Sequence, residues 1–255
     1  MATHAADIVT AAVLVIGNEV LSGRTQDANL QYLAAGLGEL GIRLLEARVI
    51  ADDEDVIARA VNECRARYDY VFTTGGIGPT HDDITSAAVA RAFGVALVRN
   101  PQVVALLNDH YAPDTVNEAR LKMAEMPEGA RLVENSVSRV PGFQIENVFV
   151  LAGVPSIMRA MFDGLKHRLE GGLPMLSETL VARLPEGVIA EGLAAAQARH
   201  PDVEIGSYPF YREGRSGVSL VVRSPDAASI SAAIADVGAE IRRLGAEAID
   251  EEGDS

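Results

Sequence analysis

Residues 73–85 read TTGGIGPTHDDIT. Gly75, Gly76, Gly78 and Pro79 run directly into Asp82 and Asp83. Glycine lets backbone N–H groups approach a ligand closely, and consecutive N–H groups ahead of a helix make an anion nest. Carboxylates beside such a nest repel phosphate unless a cation lies between. Two further turns carry the same kind of residue. GNEVLSGRTQDAN (17–29) offers Gly17, Glu19, Ser22, Asp27 and Asn29, and ADDED (51–55) offers Asp52 and Asp53. Acid-bearing turns after three successive strands fit a metal–phosphate site, with oxygen ligands on Mg²⁺ or a similar ion. Helix capping fits several of these acids one at a time, since Asp27, Asp53 and Asp83 each precede a helical stretch. For Asp53 capping is the favoured reading. The loop is neither a P-loop nor a GxGxxG fingerprint.

Other chemistries find less support. There is no G-x-S-x-G nucleophile elbow. The histidines at 4, 81, 110, 167 and 200 share no metal-ligand spacing, and His81 alone lies in a candidate loop. Cys64 is the only cysteine, which excludes an intrachain disulfide and a cysteine-based zinc site. It sits on an apolar helical face and reads as core. The segment GSYPFYREGRSG (206–217) fits either an aromatic ligand or a hairpin with packed aromatics.

The elements that must position these residues alternate. AAVLVI (11–16), IRLLEARVI (42–50) and YDYVFTTGG (68–76) read as strands, and the first ends at Gly17. Helical spacing runs from Asp27 to Gly41, over Val56–Cys64, and over TSAAVARAFG (85–94). The order β-α-β-α-β-loop-α predicts an open, mostly parallel sheet between helical layers, with ligands at the carboxyl ends of the strands. Both glycine turns would therefore open onto one cleft. Residues 100–130 read as helical and polar. NVFVLAG (147–153) is a further strand, and Pro155 starts a helix. EGGLP (170–174) reads as a linker. Beyond it a β-α-β-β-α pattern predicts a small α+β domain over 175–250, with a frayed acidic tail IDEEGDS.

Composition bounds the partners. A formal charge of −14 argues against nucleic acid or an anionic membrane surface as partner. No stretch approaches the roughly 20 apolar residues of a membrane span. MATHAADIVT at the start lacks a basic region and a long apolar run, so the cytoplasm is the expected location.

These motifs together resemble a known family. TTGGIGPTHDDIT is similar to the signature loop of the molybdopterin-binding domains of molybdenum cofactor biosynthesis. GNEVLSGRTQDAN, PEGARLVEN (127–135), PGF (141–143) and LAGVP (151–155) resemble motifs of the competence/damage-inducible protein A subgroup. HPDVEIGSYPFY (200–211) resembles part of the molybdopterin-binding-like region of FAD synthases. The resemblance implies a three-layer α/β/α domain over residues 8–170. It implies binding of molybdopterin or a nucleotide. It also implies a pyrophosphatase on ADP-ribose or FAD-like substrates that depends on Mg²⁺, Mn²⁺ or Co²⁺. Non-catalytic binding and adenylyl transfer to molybdopterin are the alternatives. A homo-oligomer, assembled through the small domain, is the expected state.

Carried over by position, Thr74, Gly75, Gly76, Gly78, Pro79 and Thr80 would hold phosphate, joined by Gly17, Glu19, Ser22 and Asp27 from the first turn. Asp83 and Asp82 would be catalytic, and Asp83, Asp52 and Glu19 would hold the metal. Two departures fall in loops expected at the ligand. NSVSRVPG (135–142) has Ser138 and Val140 where the subgroup has Gly and Ala, and LAGVP stands for LPGVP.

Overall fold

A computed structural model describes residues 8–112, 115–212 and 215–250. The chain divides into two compact units between Leu173 and Pro174. The first contains β1 (Val9–Ile16), the single turn α1 (Asn18–Leu21), α2 (Asn29–Glu39), β2 (Ile42–Ile50), α3 (Glu54–Arg65) and β3 (Tyr70–Thr74). It continues through α4 (Thr85–Phe93), β4 (Leu97–Arg99), α5 (Pro101–His110), α6 (Glu118–Lys122) and β5 (Glu125–Pro127). It closes with β6 (Arg131–Val133), β7 (Gly142–Ile145), β8 (Val148–Leu151) and α7 (Pro155–Leu165).

The main sheet has the order β2-β1-β3-β8-β7-β6. The first four strands are parallel, and β7 and β6 are antiparallel additions. Strand β1 shows why its sequence is a continuous apolar run. Ala12, Leu14 and Ile16 face one core with α3 and α4, while Ala11, Val13 and Val15 face the other with α2 and α7. A strand buried on both faces has no polar alternation to show. On the α2/α7 side Phe72 and Phe149 stack at 5.1 Å, with Phe162 edge-on to Phe72 at 5.8 Å. Each buried ring contributes about 1.5–3 kcal/mol, so this cluster fixes β3 and β8 side by side at the floor of the site.

The helix starts are also legible in local chemistry. Asp53 caps α3 by accepting from Val56 N–H at 2.9 Å, and Asn100 caps α5 ahead of Pro101. Gly94 ends α4 in the left-handed conformation. The stretch 100–130, expected to be helical throughout, is helical only in α5 and α6. Its last residues form β5, which pairs with β4 in a separate two-stranded sheet. A three-residue strand is too short to show a period, and its pairing with residues 97–99 is not local.

The second unit contains β9 (Leu176–Ala182), α8 (Glu186–Arg199), β10 (Glu204–Arg212), β11 (Arg215–Ser224), α9 (Ala227–Arg243) and β12 (Ala248–Asp250). Its antiparallel sheet, β10-β11-β9-β12, buries Leu180, Val218 and Leu220 against Ile189 of α8 and Val237 of α9. The expected β-α-β-β-α unit thus gains a fourth strand. Ile249 and Asp250, read as the start of a frayed tail, pair with β9 instead. Residues 251–255 of that tail and 213–214 of the hairpin turn lie outside the described residues. Among the described residues no helix is long and apolar enough to cross a membrane.

Candidate functional site

Strands β1, β2 and β3 end side by side, and their turns border one open cleft of about 780 Å³. Gly17 and Glu19 follow β1, Asp52 follows β2, and Gly75–Pro79 with Asp82 and Asp83 follow β3. Gly153, from the turn after β8, completes the floor: a Cβ added there would lie 3.2 Å from Gly75 Cα.

The glycine loop is held from beneath. Gly75 N–H donates to the Leu151 carbonyl at 3.2 Å, and its own carbonyl accepts the Thr85 hydroxyl at 2.9 Å. Thr85 N–H then donates to the Gly76 carbonyl at 2.9 Å. Gly75 has φ +107°, and any Cβ there would run into the Ile16 carbonyl oxygen. Only glycine fits. The N–H groups of Gly76, Ile77 and Gly78 donate to no acceptor among the described residues. These three residues all line the cleft, so it carries three free donors in a row.

Asp83 does not cap α4. The N-cap is Ile84, without a side-chain bond. Asp83 Oδ2 instead accepts Thr80 N–H at 2.7 Å and the Thr80 hydroxyl at 2.5 Å, and among the described residues Oδ1 has no hydrogen-bond partner. The carboxylate also occupies the space a Gly78 side chain would need, 2.7 Å from the position of its Cβ. Asp82 is 62% exposed. The Thr80 hydroxyl, bonded to Asp83, lies beside Asp82 as well. That hydroxyl first, then the backbone N–H of Asp82 itself, holds the Asp82 carboxyl below the usual carboxylate range, and His81 and Lys122 add attraction. Lys122 Nζ donates to the Thr80 carbonyl and so ties α6 to this loop.

Asp52 Oδ2 accepts Asn18 N–H at 2.8 Å, which links the turns after β1 and β2. The Glu19 carboxylate folds over Gly17, whose φ of 164° is extended backbone open to any residue. Among the described residues no group of three or more His, Cys, Asp and Glu is placed to hold a metal ion. The donor set still suits Mg²⁺, which takes one or two carboxylates and completes its shell with water and substrate phosphate. Asp83 through Oδ1, with Asp52 or Glu19, supplies that many.

Residues 12–171 match the family described as probable molybdopterin binding domain. The chain belongs to this family. Residues 174–247 match the middle domain of FAD synthase. A CinA-like protein of Desulfosudis oleivorans is 38% identical over 229 residues, covering 85% of this chain and 55% of its own length. A probable FAD synthase of Caenorhabditis elegans is 32% identical over 251 residues, covering 88% of this chain and 48% of its own. The chain thus spans about half the length of these two relatives. An archaeal protein of Archaeoglobus fulgidus is 36% identical over 197 residues, covering 77% of this chain and 84% of its own. Among solved structures, the protein CinA of unknown function from Thermoplasma acidophilum is 32% identical, with a TM-score of 0.60. It covers 62% of this chain and 96% of that one.

Within the molybdopterin-binding domain, four residues expected at the ligand stand away from the cleft lining. Asp27 caps α2, accepting from Asn29 and Leu30 N–H, both at 3.0 Å. Ser22 bonds the Glu19 carbonyl, Thr80 is engaged with Asp83, and Thr74 is buried in β3. His81 is 98% exposed and also lies off the lining. Conversely, Tyr111, Arg120 and Met123 line the cleft, from a segment without any motif. Ser138 and Val140 line it too, as their place in a departing loop hinted. Buried Asn135 organises that loop, donating to Ser138 Oγ at 2.6 Å and the Val140 carbonyl at 2.9 Å.

Proposed function

We propose that this cleft binds a nucleotide through its pyrophosphate and hydrolyses the P–O–P bond with a divalent metal, on ADP-ribose or FAD-like substrates. The observation that carries this reading is the row of free N–H donors at Gly76–Gly78 beside the carboxylates of Asp82, Asp83, Asp52 and Glu19. A cleft built for a neutral ligand needs neither, and one built for a bare anion has no use for four acids. The relative named a probable FAD synthase supports an adenine or flavin nucleotide as ligand.

A divalent ion held by Asp83 with Asp52 or Glu19 would neutralise phosphate charge and lower the pKa of a bound water. The residues of the chain do the rest. The Gly76–Gly78 N–H groups take the phosphate oxygens and stabilise charge as it grows on them. Thr80 fixes Asp83 Oδ2, so that Oδ1 points its lone pairs to one place. Asp82, held low by its neighbours, stays ionised at neutral pH and keeps the site attractive to cations. Water attacks one phosphorus, the bridging oxygen leaves with the other phosphate, and AMP is one product from ADP-ribose.

The test is nucleotide release from purified protein given ADP-ribose, FAD and NAD, each with Mg²⁺, Mn²⁺, Co²⁺ or chelator. AMP appearing only with metal supports the reading. Binding of the same nucleotides without any release overturns hydrolysis and leaves a ligand-holding domain.

A further inference from the structure

The cleft carries four carboxylates and, among its lining residues, a single cationic side chain, Arg120. Its guanidinium lies over the Tyr111 ring, with Cζ 3.9 Å from the ring centroid. One of its nitrogens, Nη1, donates to the Thr115 carbonyl at 2.5 Å. No carboxylate pairs with it among the described residues. Arg48, Arg91, Arg99 and Arg199 each carry an acid partner and lie off the cleft lining, whereas Arg120 lines it. With no carboxylate on it among the described residues, its charge is available for an anion from outside.

The position of Arg120 is fixed from two sides. Tyr111 holds the plane of the guanidinium by cation–π contact. Two residues on, Lys122 ties the same short helix to the Thr80 carbonyl of the glycine loop. Lys122 gives one of its donors to the protein and lies off the cleft lining, while Arg120 lines the cleft and gives the one hydrogen bond to Thr115. A planar fork of donors is suited to phosphate oxygens.

We infer that Arg120 grips the phosphate of a nucleoside diphosphate that the glycine loop does not hold, with Tyr111 as the positioning residue that holds its guanidinium in place. This deepens the nucleotide reading above and rests on it for the ligand class. It makes the cleft selective for two linked phosphates over one. The donors at Gly76–Gly78 take one phosphate with or without the second. Only a diphosphate reaches both them and Arg120.

Calorimetric titration of the full chain with AMP and with α,β-methylene-ADP, which resists cleavage, tests this without any turnover. Arg120→Gln should weaken methylene-ADP by about 10- to 100-fold, the worth of a charge-assisted bond, and shift AMP by less than about 3-fold. Arg120→Lys, which keeps charge but loses the fork, should fall between. Tyr111→Leu should lose diphosphate affinity in the same direction, and Tyr111→Phe should retain it. Circular dichroism checks that each variant keeps its fold. Equal weakening of both nucleotides, or unchanged methylene-ADP affinity in both Arg120 variants, would overturn the inference. So would wild-type protein that binds neither nucleotide. Selective loss of the diphosphate in a protein that releases no AMP from ADP-ribose would retain Arg120 and remove hydrolysis alone.

Discussion

Replacing Gly75 by alanine isolates what the glycine loop owes to close backbone approach. Its φ is +107°, outside the left-handed helical well, and the added Cβ would run into the Ile16 carbonyl oxygen at the end of β1. Both terms carry a cost. A strained backbone contributes about 1–3 kcal/mol and overpacking against rigid neighbours about 1–3 kcal/mol more. Alanine returns about 0.4–1 kcal/mol by restricting the unfolded chain. The net expectation is a loss centred on about 3 kcal/mol, or roughly 6–12 °C in Tm for a domain of this size. Gly94→Ala is the control. Gly94 has φ +65° with no heavy atom within 4 Å of an added Cβ, so only the left-handed penalty of about 1–2 kcal/mol applies. Urea and thermal unfolding of both variants, followed by circular dichroism, give the comparison. Nucleotide titration on the folded Gly75→Ala protein should then show weakened binding, because Ile16 and Gly75 border the same cleft. If Gly75→Ala is no more damaging than Gly94→Ala, the loop relaxes freely. Its donors are then not held in place.

Two residues outside the cleft lining, Asp27 and Asp69, give separate tests. Asp27→Ala removes the α2 cap and should cost about 1 kcal/mol in thermal unfolding, while nucleotide affinity stays at the wild-type value. Weakened binding without lost stability would return Asp27 to the ligand. Asp69 ties the start of β3 to β1. The Thr10 hydroxyl first and the Thr10 N–H second hold its carboxyl below the usual range, with bonds of 2.7 and 2.8 Å. A depressed carboxylate stabilises the fold above its unfolded pKa of about 4. That contribution disappears as pH falls through the lower folded value. Asp69→Asn should therefore be less stable than wild type at pH 7, and its stability should fall less between pH 5 and 3 when followed by urea titration. A parallel pH profile in both proteins would contradict this.

In the parallel half of the sheet, burial on both faces writes β1 as an uninterrupted apolar run and leaves most of β3 buried, while the edge strand β2 mixes apolar with charged residues; each is followed by a turn carrying Gly, acid or both. Helices α2, α3 and α4 showed in their spacing and stops, and the two-unit pattern in the change from parallel-strand to hairpin signals. The short strands were not legible. Three or four residues in β4, β5, β6 and β7 carry no usable period, and their partners lie up to about thirty residues away. The same limit hid half of the cleft. Glu19, Asp52, Asp82 and Asp83 sit in turns whose strands announce them. Tyr111 and Arg120 arrive there only because α5 and α6 fold back over the glycine loop. Asp83 shows the opposite limit. Its place before a helix suggested a cap, but Thr80 lies close enough to take the carboxylate first.

The central claim is that acid beside the glycine nest exists to bring metal to a pyrophosphate. The most direct measurement is AMP release from ADP-ribose by wild type and Asp83→Ala, side by side, with Mg²⁺ or Mn²⁺ and with chelator. The account predicts metal-dependent release by wild type. In Asp83→Ala it predicts a fall of at least about 100-fold, in the range expected for a lost transition-state electrostatic contact, with circular dichroism unchanged. Release by Asp83→Ala at the wild-type rate, or equal release in chelator, would contradict it.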